Sequence, residues 1–455
     1  MSERIDLPYS GKLKAYTNVR GFVSNRADFL MKQWKVHGDY YRFQLGFFDV
    51  FVVTDPEMIQ EVLRDSKRFV RSKAVKFLKF VLGNGLVVAD GELHRRQRRL
   101  MQPAFQPANI GAYATKMAEL AEDTSAAWSE SSEIEIGEEM RTLTLRVAAQ
   151  TLFTTESAEM TRTIVDAIDT VLPFINRIAE PTGALQMLLP SPSNRRFKKA
   201  RKDLDALIYG MIEEHRASGE DRGDLLSRLI AAQDVEGDGG GMSDEQIRDE
   251  VLTMLIAGHE TTAVALSWTW YLLAKHPEVA ATLHAELDRV LGGRTPSLED
   301  VPALPYTRMV LDEVMRLYPP AYLLDRVTTE PWDNGKFTVP KGSYIFMSPY
   351  LMQRHPKYWE DPEAFRPERW EAEEASSRPK FAFFPFGGGP RICIGEHFAR
   401  LEMVLVLATL AQRHALSLVS DAEVGIDPMV TLRPKGEIRM RLEARTPAAE
   451  AQPVG

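Results

Sequence analysis

The stretch FGGGPRICIG, residues 386–395, says most about how this 455-residue chain folds. Three consecutive glycines let the backbone pass close to something flat or bulky, and Pro390 stiffens the exit from the turn. Cys393, the only cysteine in the sequence, then stands just before a helix that we predict from Ile394 to Arg413. Free N–H groups and the positive end of the helix dipole favour a thiolate at such a position.

Other interpretations of this stretch fit less well. A lone cysteine is usually a small buried apolar residue, but three glycines and a helix start are an unusual setting for one. A phosphate-binding loop would need Gly-Lys-Ser or Gly-Lys-Thr after the glycines, and none follows. A zinc site would need a second cysteine or a nearby histidine pair. Arg391 could supply positive charge to an anionic ligand, and Phe386 could shield the sulfur from water.

Composition narrows the class of protein. The apolar content is 44% and the net charge is −8, so we expect a sizeable core and no nucleic-acid partner. A single cysteine cannot form an intrachain disulfide. The first residues are charged, and no run approaches the ~18 apolar residues needed to span a bilayer. We therefore expect a cytoplasmic protein without a stable membrane anchor.

Helical patterns dominate between residues 91 and 291. The longest predicted helix begins at a capping box of Ser243 and Gln246 and meets no stop before His276, more than thirty residues on. A typical helix has only ~12 residues, so this one should cross the core. We predict one mainly α domain with a smaller β portion over residues 1–445, and a flexible tail at 446–455. Other predicted elements are a hairpin at 40–53, a helix opened by Asp55, a helix at 304–318, and strands at 336–339 and 343–347.

The pattern F-x-x-G-x-R-x-C-x-G resembles the haem-binding loop of the cytochrome P-450 family, and every fixed position matches. A second match, AGHETT at residues 257–262, is similar to the oxygen-activation motif of that family and lies within the long helix. Gly258 weakens the helix, and the Thr261 hydroxyl can bond the Ala257 carbonyl, so we expect the helix to open there and admit water. Glu260 beside that hydroxyl could relay protons.

Two further motifs extend the resemblance from about Asp28 to Arg441. Glu313 and Arg316 match the family's E-x-x-R, and Arg369 supplies the third member of its structural triad. The segment GELHRRQRR, residues 91–99, resembles the helix that grips the haem propionates, with His94 where many members have Trp. The resemblance implies these propionate ligands: His94, Arg98, Arg326 and Arg391.

The resemblance implies a triangular fold with haem between the long helix and the Cys393 loop. Cys393 would be the axial ligand of the iron in haem b, with Phe386 and Gly395 lining the cofactor. Dioxygen would be the co-substrate, and Thr261 and Glu260 would deliver protons. The implied reaction inserts one oxygen atom into a C–H bond of an apolar molecule such as a terpenoid, steroid or fatty acid, by hydroxylation or epoxidation.

Electrons would come from separate proteins, because the sequence carries no flavin or nicotinamide fingerprint. We expect a ferredoxin or flavodoxin with its reductase, drawing on NAD(P)H, and a monomeric enzyme. An acidic ferredoxin would suit a basic surface formed by Arg95, Arg96 and Arg99.

The substrate pocket is the least constrained prediction, since core packing would explain the same apolar residues equally well. Two other functions stay open. A haem-thiolate peroxygenase or isomerase would not need Glu260 and Thr261, and a haem-based sensor would need an output domain, which the sequence does not show. The predicted pocket walls, with a lid at 174–189, are Leu252, Leu255, Ile256, Ala257, Tyr322, Leu323, Leu324, Val430 and Thr431.

Overall fold

The computed structural model describes residues 6–10, 15–72, 75–76, 78–128, 132–153, 163–168, 170–171, 174, 191–237 and 239–445. They form a mainly α-helical molecule with a smaller β portion, which confirms the predicted fold class. The helices, numbered along the described chain, are α1 (Ala15–Ser24), α2 (Arg26–His37), α3 (Pro56–Arg64), α4 (Lys79–Leu82), α5 (Gly91–Met101), α6 (Pro107–Ile110), α7 (Ala114–Trp128), α8 (Ile136–Phe153), α9 (Pro192–Ser218), α10 (Leu225–Ala231), α11 (Asp244–Lys275), α12 (Pro277–Leu291), α13 (Pro305–Leu317), α14 (Pro349–Met352), α15 (Ala372–Ser377) and α16 (Glu396–Ala411).

The β portion is split into small sheets. A six-stranded sheet has the order β1-β2-β3-β9-β6-β4, a three-stranded sheet the order β10-β13-β5, and two pairs join β11 to β12 and β7 to β8. The predicted hairpin is present, with Leu45 opposite Phe48 at its turn. The strands are β1 (Tyr9–Ser10), β2 (Tyr40–Leu45), β3 (Phe48–Val53), β4 (Phe69–Val70), β5 (Glu133–Glu135), β6 (Leu324–Thr328), β7 (Trp332–Asp333), β8 (Thr338–Val339), β9 (Tyr344–Met347), β10 (His414–Leu418), β11 (Ile426–Pro428), β12 (Leu432–Pro434) and β13 (Arg439–Ala444).

Local sequence signals set the helix starts. Asp55 caps α3 by accepting from the N–H groups of Glu57 and Met58, and a complete capping box of Ser243 and Gln246 starts α11. Helix α11 runs unbroken for 32 residues, as its sequence predicts. It packs against α8, α9, α13 and α16, so the longest helix lies at the centre of the molecule.

Two details differ from the sequence-based expectation. Strand β5 interrupts the region predicted to be almost wholly helical, because Ile134 pairs with Met440 of a strand far along the chain. The pattern of residues 394–413 predicts an amphipathic helix, but in α16 every residue from 401 to 411 is buried. No helix within the described ranges is long and apolar enough to cross a membrane.

Candidate active site

The loop at 386–395 packs tightly against protein on its outer side. A Cβ at Gly389 would overlap the carbonyl oxygen of Leu63, and one at Gly388 would lie 2.5 Å from the Phe381 ring. Gly389 also has a φ of +67°, in the left-handed region that favours glycine. These two glycines therefore fit the loop to α3 and its neighbours, whereas we expected them to approach a flat ligand.

Cys393 follows this turn, and its N–H donates to the Phe386 carbonyl at 2.9 Å. Burial raises the pKa of the Cys393 thiol and so does Glu396, while the Gly395 N–H and Arg98 lower it. Contrary to expectation, the protein alone therefore favours the thiol, and a bound metal cation would be needed to hold the thiolate. The side chain is nevertheless exposed. Protein surrounds the sulfur, yet the side chain remains accessible to a ligand.

Several basic side chains gather next to this loop, close enough to perturb the pKa values of one another. They include three predicted arginines, the predicted histidine and a further arginine that the motifs do not contain. Arg391 reaches the Ala89 carbonyl at 2.9 Å and pairs with Asp90, so its charge serves this group rather than the sulfur. We call the group the unmatched cluster, which consists of Arg71, His94, Arg98, Arg326 and Arg391.

Two carboxylates lie among these cations. Asp90 pairs with Arg391, and Asp325 accepts from the Ser72 hydroxyl at 2.8 Å. Both also act electrostatically on Arg71. Four arginines against two aspartates leave two positive charges in excess, and the half-exposed Lys76, which pairs with Asp90 at 3.2 Å, adds a third. A ligand with two carboxylates, as in the propionates of haem, would balance the two arginine charges.

Arg71 shows most clearly that the unmatched cluster lacks an anion. Burial, followed by repulsion from Arg326 and Arg391, lowers its pKa to about 9. Its Nε atom is buried without a hydrogen-bond partner. Leaving a charged donor unsatisfied is costly, so the site fits an acidic group placed against Arg71. Burial, followed by repulsion from Arg391, Arg71 and Arg98, lowers the pKa of His94 to about 4, which leaves its imidazole neutral at pH 7.

The E-x-x-R motif forms a second ionic group, the matched triad of Glu313, Arg316 and Arg369. Arg316 makes a bidentate pair with Glu313, both contacts at 2.8 Å, and Arg369 Nε donates to Glu313 Oε1 at 2.9 Å. All three side chains are fully buried. The Trp370 indole N–H also donates to Glu313, at 3.0 Å. The triad is satisfied by protein alone, which fits the structural role implied by the resemblance.

Helix α11 presents small and polar groups at its midpoint. Ala257 is exposed, Gly258 and Thr261 beside it are partly exposed, and Ile256 and His259 are buried. The Thr261 hydroxyl donates to the Ala257 carbonyl at 2.8 Å, and the Thr262 hydroxyl donates to that of Gly258 at 3.0 Å. The helix does not break here, contrary to expectation. Instead, the threonine hydroxyls occupy two backbone carbonyls beside the exposed face.

Glu260 faces a different side of α11 from Thr261. It is buried, and its Oε1 accepts from the Thr431 hydroxyl at 3.1 Å. Thr431, predicted as a pocket wall, therefore positions this acid. No hydrogen bond directly joins Glu260 to Thr261 among the described contacts.

A second acid, absent from the motifs, approaches the same region from α16. Glu402 is buried, and its side chain is hydrogen-bonded to Thr262. Burial raises the pKa of Glu402 well above its ordinary value, which favours the protonated form. Its Oε1 has no hydrogen-bond partner. A charged residue within the apolar run from 401 to 411 was the available sequence signal.

The predicted pocket residues separate into different environments. Leu252 and Leu255 lie in the core between α11 and α9, and the Tyr322 hydroxyl is tied to the carbonyls of Pro428 and Met429. Of the predicted lid at 174–189, only Phe174 is described. The remaining predicted walls are the buried Ile256, the exposed Ala257 and Val430, and the partly exposed Leu323 and Leu324.

The three arginines predicted to receive a ferredoxin are engaged within the protein. Arg99 makes a bidentate pair with Asp234 at 2.8–2.9 Å. Arg96 reaches the Gly241 carbonyl at 3.0 Å and approaches Asp234, and Arg95 pairs with Glu92. Arg96 and Arg99 therefore fasten α5 to the loop before α11, whereas Arg95 pairs within α5, so part of the charge of this basic surface is balanced inside the protein.

Comparison with known proteins identifies the family of the chain. The sequence model of the cytochrome P450 family matches residues 7–439. Cyclooctatin synthase from Streptomyces melanosporofaciens is 42% identical over 90% of this chain and 89% of its own length. Cyclooctat-9-en-7-ol 5-monooxygenase from the same organism is 40% identical over 84% of this chain and 83% of its own. Pentalenene oxygenase from Streptomyces avermitilis is 36% identical over 92% and 93%.

The fold agrees with this sequence similarity. The crystal structure of the cytochrome P450DA heme domain matches with a TM-score of 0.88 and 26% identity, over 98% of this chain and 99% of that one. The chain belongs to the cytochrome P450 family. It is accordingly a haem-dependent monooxygenase, an oxidoreductase that uses dioxygen.

Proposed function

We propose that this cytochrome P450 hydroxylates a terpenoid, a cyclic hydrocarbon or its alcohol, at an unactivated C–H bond. The main support for the substrate class is sequence similarity to three relatives whose names point to cyclooctatin or pentalenene chemistry. These relatives are 36–42% identical over at least 84% of the chain. The exposed Ala257 in the middle of α11 supports it, because a small apolar side chain leaves room for a bulky apolar molecule.

The cofactor would be held at two places. Cys393 would bind the iron through its accessible sulfur, and the unmatched cluster would bind the two propionates with its two surplus positive charges. When bound, haem supplies the redox-active iron at which dioxygen is activated. The cation cluster would fix the orientation of the cofactor relative to Ala257 and Thr261, since charge-assisted hydrogen bonds are the stronger and more directional ones.

Three acidic or hydroxyl groups would deliver protons. Thr261 Oγ, on the exposed side of α11, would hold a proton closest to the reacting oxygen. Glu260, positioned by Thr431, and Glu402, whose burial beside Thr262 favours the protonated form, would resupply it through water. Electrons would reach the protein from a ferredoxin or flavodoxin and its reductase, ultimately from NAD(P)H.

The substrate class can be tested by titrating the haem-loaded protein with a panel of cyclic sesquiterpenes, cyclic diterpenes and their alcohols. Spin-state shifts report binding, and turnover under isotopically labelled dioxygen with a surrogate ferredoxin and reductase reports chemistry. We expect a terpenoid to bind and to gain one labelled oxygen atom. A long-chain fatty acid and a steroid are the matched apolar controls, and binding of these but of no terpenoid would contradict the proposed class.

The proton route has its own test. Replacing Thr261 by Ala should lower product formed per NAD(P)H consumed by about tenfold, because general acid catalysis contributes that much or more. Thr269→Ala is the matched control, because the Thr269 hydroxyl also donates to a backbone carbonyl of α11, that of Ala265, but lies in the core. This variant should leave the ratio of product to NAD(P)H unchanged. Unchanged coupling in the Thr261 variant would remove this hydroxyl from the route.

A further inference from the structure

The first two turns of α16 carry an arginine held from three sides. Arg400 Nη1 donates to Asp312 Oδ1 at 2.6 Å, and its Nε donates to Glu396 Oε1 at 3.1 Å. Its guanidinium carbon lies 4.9 Å from the centre of the Phe386 ring. Such a stacked and paired guanidinium keeps one orientation. None of the motifs identified above contains Arg400.

Two partners of Arg400 act on Cys393. Phe386 accepts the Cys393 N–H through its carbonyl oxygen, at 2.9 Å. Glu396 lies three residues after Cys393, and the field of its carboxylate reaches the sulfur, because it raises the pKa of the thiol. Arg400 therefore contacts both the Phe386 ring, which precedes Cys393 in the sequence, and the Glu396 carboxylate, which follows it.

The start of α16 would hold two anions when Cys393 binds a metal. The thiolate and the Glu396 carboxylate would share the positive end of one helix dipole, and like charges at this spacing repel each other. Arg400 stands one turn beyond Glu396 and offsets its charge. Asp312 and Glu396 together outweigh the effect of burial and raise the pKa of Arg400, so the guanidinium stays charged.

We propose that Arg400 is a positioning residue for Cys393: it neutralises Glu396 and fixes the Phe386 ring, and it thereby makes reduction of the bound iron easier. The inference rests on the proposed ligation of haem by Cys393. Reduction adds negative charge to the iron–thiolate unit, so an unopposed carboxylate nearby disfavours it.

The key variant is Arg400→Gln. Asp312 is partly exposed, yet burial raises its pKa, so loss of its partner favours uptake of a proton. Glu396 would then remain as the uncompensated charge. We expect the equilibrium constant for one-electron reduction to fall by about tenfold, which corresponds to a potential about 59 mV lower. Arg400→Lys keeps the charge and should recover most of this loss.

A double variant separates charge from packing. If Arg400 acts by neutralising Glu396, then Glu396→Gln combined with Arg400→Gln should restore the reduction potential, and the two changes should not be additive. Arg378→Gln is the matched control. Arg378 also stacks on an aromatic ring, with its guanidinium carbon 4.5 Å from the centre of the Trp359 ring, and it pairs with Glu374 at 3.0 Å. Its loss should reduce stability without changing the potential.

Reduction potentials are to be measured by redox titration of the haem-loaded variants, together with the spectrum of the reduced carbon monoxide complex. A normal thiolate spectrum in Arg400→Gln with an unchanged potential would overturn the inference and leave the proposed function intact. A lower potential that the double variant does not restore would overturn neutralisation of Glu396 as the cause. If the unaltered protein gave no thiolate spectrum, the ligation by Cys393 would fail, and the inference with it.

Discussion

Two groups of buried arginines in this molecule differ in what balances their charge. In the matched triad, Glu313 accepts from Arg316 and Arg369, and no side chain of the three is exposed. In the unmatched cluster, four arginines meet two aspartates, and the Nε of Arg71 has no acceptor. Burying charge is tolerable only when partners replace the lost water. The triad is thus complete as folded, whereas the cluster has capacity for an anionic ligand.

This difference separates two roles that look alike in a sequence. Both groups are arginine-rich, buried and spread over distant segments of the chain. The first stabilises the fold, and the second prepares a binding site at some cost to the haem-free protein. Substitutions in the two groups should therefore change different measurements, and the following predictions use that contrast.

The largest effect is expected from breaking the matched triad. Glu313→Gln leaves two buried guanidinium groups without their carboxylate, so the free energy of unfolding should fall by about 3–5 kcal/mol. Denaturant unfolding of the haem-free protein measures it. Glu360→Gln, which removes a largely exposed partner of Arg366, is the control and should cost about 1 kcal/mol or less. A Glu313 variant as stable as this control would contradict the assigned role.

In the unmatched cluster, the expected loss is in cofactor affinity. Arg326→Gln should weaken haem binding roughly 10- to 100-fold, because a hydrogen bond to a charged group contributes about 1.5–3 kcal/mol. The rate at which haem transfers to an excess of an acceptor protein reports it. Arg99→Gln, whose guanidinium pairs with Asp234, should leave haem affinity unchanged. Equal losses in the two variants would mean that Arg326 has no specific role toward the cofactor.

A smaller effect, of opposite sign in the two forms of the protein, is expected at Arg71. Arg71→Met removes a buried charge that lacks a partner, so the haem-free protein should gain about 1 kcal/mol in its free energy of unfolding. Haem affinity should fall at the same time. Denaturant melts with and without haem test both signs. Destabilisation of the haem-free protein would show that protein groups already balance the charge of Arg71, as they do for the arginines of the matched triad.

The effect that is smallest at neutral pH is a pH dependence. The pKa of His94 is about 4 in the folded protein, against an ordinary value of 6.5. Below pH 6.5 the unfolded chain therefore binds more protons, and the stability contributed by neutral His94 is lost as the pH falls from 6.5 toward 4. His94→Gln should flatten this part of the stability profile in the haem-free protein. A slope that persists in the variant would assign the pH dependence to other groups.

Short motifs predicted much of this arrangement. The helix boundaries near Asp55 and Ser243 follow from capping residues a few positions apart, and the loop around Cys393 follows from glycines and proline within ten residues. The long unbroken helix follows from the absence of any stop signal. Such features depend on neighbours in sequence, so a single chain is enough to predict them.

Features made by distant segments were predicted only where the family resemblance supplied them. Arg71 joins the unmatched cluster only because β4 pairs with β6, next to Arg326. Nothing in the sequence indicated that Thr431, predicted as a pocket wall, bonds Glu260, or that Arg99, predicted on a docking surface, pairs with Asp234. Leu252 lies in the core although an apolar position on α11 suited a pocket equally well. Hydrophobic periodicity identifies a buried face and cannot tell a ligand from a neighbouring helix.

The central claim is that Cys393 binds the iron of a haem whose propionates balance the unmatched cluster. The most direct test is the spectrum of the reduced carbon monoxide complex, compared between the unaltered protein and Cys393→His. We predict the long-wavelength Soret band of thiolate ligation in the first, and its loss in the second while haem stays bound through the arginines. The same thiolate band in both proteins would contradict the account.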